Sequence, residues 1–345
     1  MQAGRINSVL VVGGGTAGWL AACHLAKKLH PGEPGGVRVT LVESPDIPTI
    51  GVGEGTVPAM RHSLQYLGIS ETEFIRECEA TFKQSIRFDG WMADPQHSYH
   101  HVFDYPRRDP VDATPYWLLQ SDGKPYADWV GIQSSLCDQG LGPKQMTQAE
   151  YEGVASYAYH LDAGKFADLL TRHATTRLGV EHLKANVQEI NLDANGDIAS
   201  LETDRLGTLQ ADLFIDCTGF SSLLLGKALG VEFVNRGDVL LADHALAVQV
   251  PYPDADSPIP CQTIATARSA GWIWDIGLVS RRGTGYVYSS KHIDHDVAER
   301  ELRDYLRQSL GDKADEVSCR RIPMQVGYRE RFWFRNCAAI GLSQG

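Results

Sequence analysis

The sequence predicts an α/β fold in which a parallel-sheet domain carries an inserted antiparallel sheet, and three observations predict it. A strand, a glycine-rich turn and a helix follow one another directly: the β-branched run Ser8–Val12, the triplet Gly13-x-Gly15-x-x-Gly18, then Ala21, Leu25 and Leu29 at helical spacing. A later apolar stretch, residues 208–217, reads as a buried strand that returns to the same layer and runs into Asp216-Cys217-Thr218-Gly219. Between residues 240 and 290, four strand-like segments follow in series, as expected of an antiparallel sheet.

In chain order, residues 37–42 supply a second strand and close a βαβ unit, with the polar stretch 29–36 at the far end of its crossover. Residues 51–58, GVGEGTVP, form a glycine-rich loop. Short helices are expected over 60–67 and 71–80, then a strand over 85–91. From 94 to about 153, Pro, Gly, Asp and aromatic residues are frequent, which predicts long loops over a scaffold and not a separate domain. Residues 157–177 predict a helix, and 180–190 and 198–203 predict strands with a hairpin signal at Asn195-Gly196. The segments 240–250, 262–267, 272–278 and 286–290 predict the antiparallel sheet, 297–310 an amphipathic helix, and 336–342 a last apolar strand.

A chain of 345 residues exceeds the size at which one core keeps growing, so two lobes around a shared site are expected. With 43% hydrophobic and 22% charged residues it has ordinary globular composition, and no stretch approaches the ~20 apolar residues of a membrane span. Lys and Arg total 32 against 43 Asp and Glu, and a net charge of −11 argues against nucleic acid as a partner. The pairs Arg281-Arg282 and Arg107-Arg108 are too short to reverse that balance. Seven cysteines without a CxxC pair or Cys/His grouping predict neither a metal site nor a disulfide framework. The amino terminus enters an apolar strand with no leader-like pattern, so a soluble, reduced, cytoplasmic protein is expected.

The glycine loop carries the first chemical expectation. Gly13 permits the tight turn, Gly15 lets backbone approach a pyrophosphate, and Gly18 lets helix and strand pack closely. Thr16 and Ala17 open the helix whose N–H groups and positive dipole end face an anion. Glu43, at the end of the second strand, is placed to accept hydrogen bonds from an adenosine ribose. The loop alone does not separate FAD from NAD. Asp216 to Gly219 resembles the second flavin-contacting motif of glutathione-reductase-like flavoproteins, which favours FAD; an ordinary strand-to-loop turn is the other reading. Ala339-Ile340-Gly341 would bring a third strand end to the ribityl side, and no second Gly-rich βαβ is present for a nicotinamide cofactor.

Five further segments, in this order along the chain, resemble the flavin-dependent halogenases of the tryptophan halogenase family: GGGTAGW, GVGEGTVP, FKQSIRF, YHLDAGKFADLL and GWIWDI. The resemblance runs over nearly the whole chain. It implies a glutathione-reductase-like FAD-binding Rossmann domain with an inserted substrate-side sheet, with 1–91, 155–225 and 320–345 binding FAD and 92–154 and 226–319 on the substrate side. It further implies that reduced FAD, supplied by a separate flavin reductase, meets oxygen and a chloride or bromide ion, and that hypohalous acid travels to a lysine beside a small aromatic substrate. The matching lysine is Lys83; read alone, it is an exposed strand or helix-end charge. An ammonium group suits that task because it hydrogen-bonds hypohalous acid and its pKa falls when desolvated.

The resemblance also assigns Gly51, Val52, Gly53 and Thr56 to a mobile strap over the flavin, with Glu54 as another polar group there. His101 and Phe103 match a pair lining the aromatic site, and Trp272 and Trp274, sharing a strand face with Ile276, match a wall between flavin and substrate. A packed aromatic core is the alternative for that strand, and Gly277 stands where the family carries Pro. The family's helical carboxy-terminal region, its essential glutamate and its halide site lie beyond the segment matching Gly345, so a fragment of a longer protein is expected. A flavin monooxygenase and a non-catalytic flavin-binding protein remain open at this point, as does homodimerisation.

Overall fold

The computed structural model describes residues 5–47, 53–106, 111–120 and 122–345. They divide into two units, one of Met1–Ile50, Ala163–Leu240 and Gln325–Gly345, the other of Gly51–Asp162 and Leu241–Met324.

The first unit is built on a six-stranded sheet in the order Trp333–Phe334, Cys337–Ala339, Leu213–Asp216, Ser8–Val12, Arg38–Glu43, Glu181–Lys184, parallel except at the Trp333 edge. Val9 to Val12 are buried, as a central parallel strand covered on both faces requires. The helices Thr16–Leu29 and Ala163–Arg177 pack together. A separate cluster joins Leu10, Val12, Val42 and Phe214 to Ile198 and Leu201 of a three-stranded antiparallel sheet, with Leu224 and Leu225 of a short helical turn. Val187–Leu192 and Ile198–Thr203 form the expected hairpin, with Gly196 at φ 83°.

The second unit contains a seven-stranded sheet in the order Arg320–Pro323, His244–Pro251, Arg281–Tyr288, Gly271–Gly277, Thr263–Arg268, Ser85–Asp89, Ser98–Val102. Only Ser85–Asp89 runs parallel to its neighbour Thr263–Arg268. One face places Leu246, Val248, Ile273 and Tyr286 under Ala298, Leu302 and Leu306 of the helix His295–Leu310. Alternation therefore puts Trp272 and Trp274 on the other face. A three-stranded sheet, Glu54–Gly55, Ala158–Leu161, Thr81–Lys83, completes the unit.

Five expectations differ from this architecture. Residues 157–177 are not one helix: Ala158–Leu161 is a strand paired on both edges, and the helix begins at Ala163. Both Tyr157 and Tyr159 send hydroxyls to Glu71, which the helical period would not allow from one face. The stretch 94–153 contains the edge strand Ser98–Val102 and the short helices Thr114–Gln120, Tyr126–Val130 and Gln133–Asp138. Residues 180–190 break at Asn186, whose amide binds Asp46 and Asp204, and 208–217 break at Asp212, whose carboxylate accepts from the backbone of Asn7 and Ser8. Finally, pairing of Thr81–Lys83 with Ala158–Leu161 and of Ser85–Asp89 with Thr263–Arg268 places 53–91 and 155–162 with the antiparallel sheet, not with the glycine-loop unit.

Among the described residues, no helix is long and apolar enough to cross a membrane, and no group of three or more His, Cys, Asp or Glu could hold a metal ion. All seven cysteines are free thiols.

The carboxylate of Glu71, 2% exposed, anchors the small sheet from behind. Its Oε1 accepts from the hydroxyls of Tyr157 (2.6 Å) and Tyr159 (2.7 Å), and its Oε2 from Lys144 Nζ (2.7 Å) and the Tyr151 amide (2.6 Å). Burial alone would raise its pKa, but these hydrogen bonds outweigh it and hold the group below the usual carboxylate range. A depressed native pKa means that the unfolded state takes up the proton first, so the stabilisation is complete above about pH 4–5 and is lost as pH falls through the native pKa. Glu71→Ala strands two buried hydroxyls and removes the carboxylate partner of the half-buried Lys144 ammonium, and urea unfolding at pH 7 is expected to show a loss of about 3–5 kcal/mol that shrinks towards pH 3.

Candidate functional site

In the glycine-loop unit, each glycine meets a different neighbour. Gly13 has φ 114°, and a Cβ there would lie 2.2 Å from the Cys217 carbonyl oxygen. A Cβ on Gly18 would lie 1.9 Å from the Gly13 oxygen, so helix and turn touch backbone to backbone. Around Gly15 an added Cβ meets nothing within 4 Å among the described residues, which is the open surface an approaching pyrophosphate needs. The helix Thr16–Leu29 starts at Gly15 without a side-chain cap or an acidic residue in its first turn, and Thr16 and Ala17 lie at that uncapped end.

Glu43 ends the neighbouring strand as expected, and two further residues govern it. Its Oε1 is 2.7 Å from His182 Nε2, and the His182 ring meets buried Trp19 edge-on at 4.9 Å. Its Oε2 lies where a Cβ of Gly14 would be, at 1.6 Å, so Gly14 is required by the carboxylate.

Asp216 has a structural task. Its fully buried carboxylate accepts from the Thr218 amide (3.0 Å) and hydroxyl (2.6 Å) and from the Leu224 and Leu225 amides (both 2.9 Å). Both oxygens are thus occupied by the chain itself, and Asp216 fixes the turn that presents Gly219, which has φ 65° and open space around it. Gly341, φ 68°, comes so close to Ala17 that a Cβ would lie 2.9 Å from that methyl group.

The second unit holds the other group of residues. Gly51 and Val52, like Arg107-Arg108, lie outside the described residues. Gly53 is buried with φ 87°, its Cβ direction 3.5 Å from Gly283 Cα. Thr56 is committed to the sheet edge: its amide donates to the Tyr159 carbonyl at 2.9 Å, and its hydroxyl accepts from the Tyr159 amide at 3.0 Å.

Lys83 is 5% exposed, and no carboxylate pairs with it among the described residues. Burial lowers its pKa to about 8, so the amine is mostly protonated at pH 7, with about a tenth as free base. Nζ stands 5.6 Å from the centroid of the half-buried Phe103 ring. His101 is exposed on the edge strand opposite Ile86, which in turn lies beside Thr263.

Trp272 and Trp274 are half-buried, while Ile273 between them is in the core. The Trp274 indole lies against Gly285, where a Cβ would be 2.2 Å from Cη2, and Trp272 is 6.0 Å from the ring of Trp91. Trp274 pairs with Ala265, so Thr263, two residues away on the same strand, shares the tryptophan face. At Gly277 a Cβ would come within 2.9 Å of Ile259 and 3.1 Å of Pro260, so the loop packed there replaces the bulk of a larger residue.

A sequence profile described as tryptophan halogenase matches residues 8–345. The chain belongs to the tryptophan halogenase family. It is 39% identical to the tryptophan 6-halogenase SttH of Streptomyces toxytricini over 98% of this chain and 67% of that protein. The solved tryptophan halogenase of Shewanella frigidimarina superposes with a TM-score of 0.93 at 44% identity, covering 99% of this chain and 66% of that one. BrvH, a flavin-dependent halogenase from Brevundimonas, superposes with a TM-score of 0.85 at 36% identity, over 99% and 67% of the two chains. The chain thus spans about two thirds of the length of the relatives it matches. The parallel sheet with separate antiparallel sheets is the architecture it shares with these halogenases.

Sequence reasoning missed Gly14, His182, Glu71, His160, Thr263 and Gly55. The alternation Tyr157-Ala158-Tyr159-His160 was a visible signal for His160, masked by the helical pattern after it. The different surroundings of the glycines give a direct test in thermal or urea unfolding. Gly13→Ala and Gly14→Ala are each expected to cost about 1–3 kcal/mol through steric overlap, whereas Gly15→Ala, at a helix N-cap, is expected to cost about 1 kcal/mol or less.

Proposed function

We propose that this chain is the FAD-binding and lysine-bearing part of a flavin-dependent halogenase that modifies an electron-rich aromatic such as tryptophan, indole or a related ring. The observation that carries the reading is Lys83, a buried amine with no counter-ion among the described residues, set beside Phe103. The names of the relatives, tryptophan 6-halogenase among them, agree with it.

The glycine loop fits a dinucleotide because the one position that must face a pyrophosphate, Gly15, is the one with open space. In a glutathione-reductase-like arrangement, Gly13 to Gly18 hold the pyrophosphate and Glu43 the adenosine ribose, with Gly219 and Gly341 lining the isoalloxazine and ribityl side. When bound, reduced FAD from a separate reductase supplies the activation of oxygen that oxidises chloride or bromide. Lys83 holds the oxidised halogen at Nζ, and His101 and Phe103 orient the aromatic ring. The half-exposed Trp272 and Trp274, turned away from the core, favour a wall between cofactor and substrate over the packed core that a flavin monooxygenase reading would require. The protein is proposed to act in the reducing cytoplasm, consistent with seven free cysteines.

Lys83→Met tests the reading. With native pKa near 8 and unfolded pKa near 10.4, the unfolded state holds more protons between those values, so wild-type stability rises with pH across that window and burial of the ammonium is a penalty below it. The variant is therefore expected to be about 2 kcal/mol more stable than wild type at pH 7, converging above pH 10, while full-length enzyme given reduced FAD, oxygen and halide loses halogenation and keeps FAD affinity. Retained halogenation would remove Lys83 from its role. Gly15→Ala, by contrast, is expected to weaken FAD binding at least tenfold, read by flavin fluorescence titration.

A further inference from the structure

The face of the small sheet that carries Lys83 also carries His160 and Gly55. Lys83 pairs with Ala158, and His160 pairs with both Thr81 and Gly55, so these positions share one side, opposite the tyrosines that bind Glu71. His160 is completely buried and its Nε2 lies 2.8 Å from Thr263 Oγ1 on the tryptophan face of the large sheet. A Cβ on Gly55 would lie 3.1 Å from Lys83 Nζ, 3.5 Å from Thr263 Oγ1 and 3.6 Å from His160 Cδ2. Three side chains from three strands thus converge on a space that exists because residue 55 has no side chain.

We propose that His160, held by Thr263, is a positioning residue for Lys83: its neutral ring walls the space over Gly55, keeps water from the amine and fixes the spot where the oxidised halogen is received. The inference rests on the role proposed for Lys83. A neutral ring is required by the surroundings. Among the described residues His160 Nδ1, which is buried, has no hydrogen-bond partner, so a second ring proton would be stranded there. Burial first, and the charge of Lys83 second, hold its pKa well below the ordinary histidine value. Burial is what lowers the Lys83 pKa, so the amine is tuned by exclusion of water, and the fully buried His160 ring is one of the groups bordering this space.

The test reads the amine directly. Intact protein is labelled with an amine-acylating reagent over pH 6–11, and modification of Lys83 is followed by peptide mass spectrometry. Wild type is expected to label with a midpoint near 8. His160→Ala admits water and is expected to move the midpoint up by one unit or more, Thr263→Val in the same direction by less, and Thr263→Ser, which keeps the hydroxyl, not at all. Far-UV circular dichroism accompanies each variant. Should His160→Ala fail to fold, the near-isosteric Thr263→Val against Thr263→Ser decides alone. Midpoints in folded His160→Ala or Thr263→Val that match wild type within about 0.3 unit overturn the proposal. Halogenation by the wild-type full-length enzyme is assayed separately: its absence counts against the reading of Lys83, while unmoved midpoints in an active enzyme count against His160 alone.

Discussion

The small sheet around Lys83 depends on a strand that is anchored by polar contacts on both faces. Behind Ala158–Leu161, two tyrosine hydroxyls converge on one oxygen of Glu71, whose other oxygen is taken by Lys144 and a backbone amide. In front, His160 reaches Thr263 on the neighbouring sheet. Apolar packing alone is non-directional and would tolerate a slip of this short strand. A one-residue slip would exchange the two faces, burying a tyrosine against Thr263 and pointing His160 at a carboxylate. The register that places Lys83 opposite Ala158 is thus fixed by hydrogen bonds that no neighbouring register could satisfy.

In the glycine-loop unit, the corresponding constraint is the absence of side chains. Gly13 lies against Cys217, Gly18 against Gly13, and Gly14 against Glu43. The motif at residues 13–18 and the turn at 216–219 are one feature seen from two strands, because the first glycine is needed by the carbonyl that follows Asp216. The carboxylate of Asp216 acts at one remove, tying Thr218, Leu224 and Leu225 so that the Cys217 carbonyl stays where Gly13 can meet it.

The parts legible in the sequence are those governed by local rules. Ser8–Val12, the helix Thr16–Leu29 and the hairpin at Asn195-Gly196 follow from periodicity and turn chemistry within a few residues. The resemblance to the family singles out Lys83 and, through the His101-x-Phe103 pair, Phe103, and Nζ of the one lies 5.6 Å from the ring of the other. What was not legible depends on partners distant in sequence. Tyr157 to Leu161 ran into a helical pattern because nothing nearby reveals that its tyrosines answer a carboxylate 86 residues earlier. Glu71 itself reads as an ordinary acid in a helix first turn. In the segment 94–153 the strand Ser98–Val102 pairs with Ser85–Asp89, which is itself held by the distant strand Thr263–Arg268, and composition alone describes the segment as loop.

Buried charges in the second unit separate structural from chemical roles. Asp275 is answered by Arg282 at 2.8 Å and by the hydroxyls of Tyr305 and Thr284, and Glu71 by Lys144. Each has the geometry that makes a buried ion tolerable. Lys83 is equally buried, and among the described residues it faces the Phe103 ring and pairs with no carboxylate. Folding would be better served by methionine of similar length, so the amine is not explained by stability. An unpaired, desolvated amine is a poor ion and a good nucleophile and hydrogen-bond donor, which suits the role proposed for Lys83.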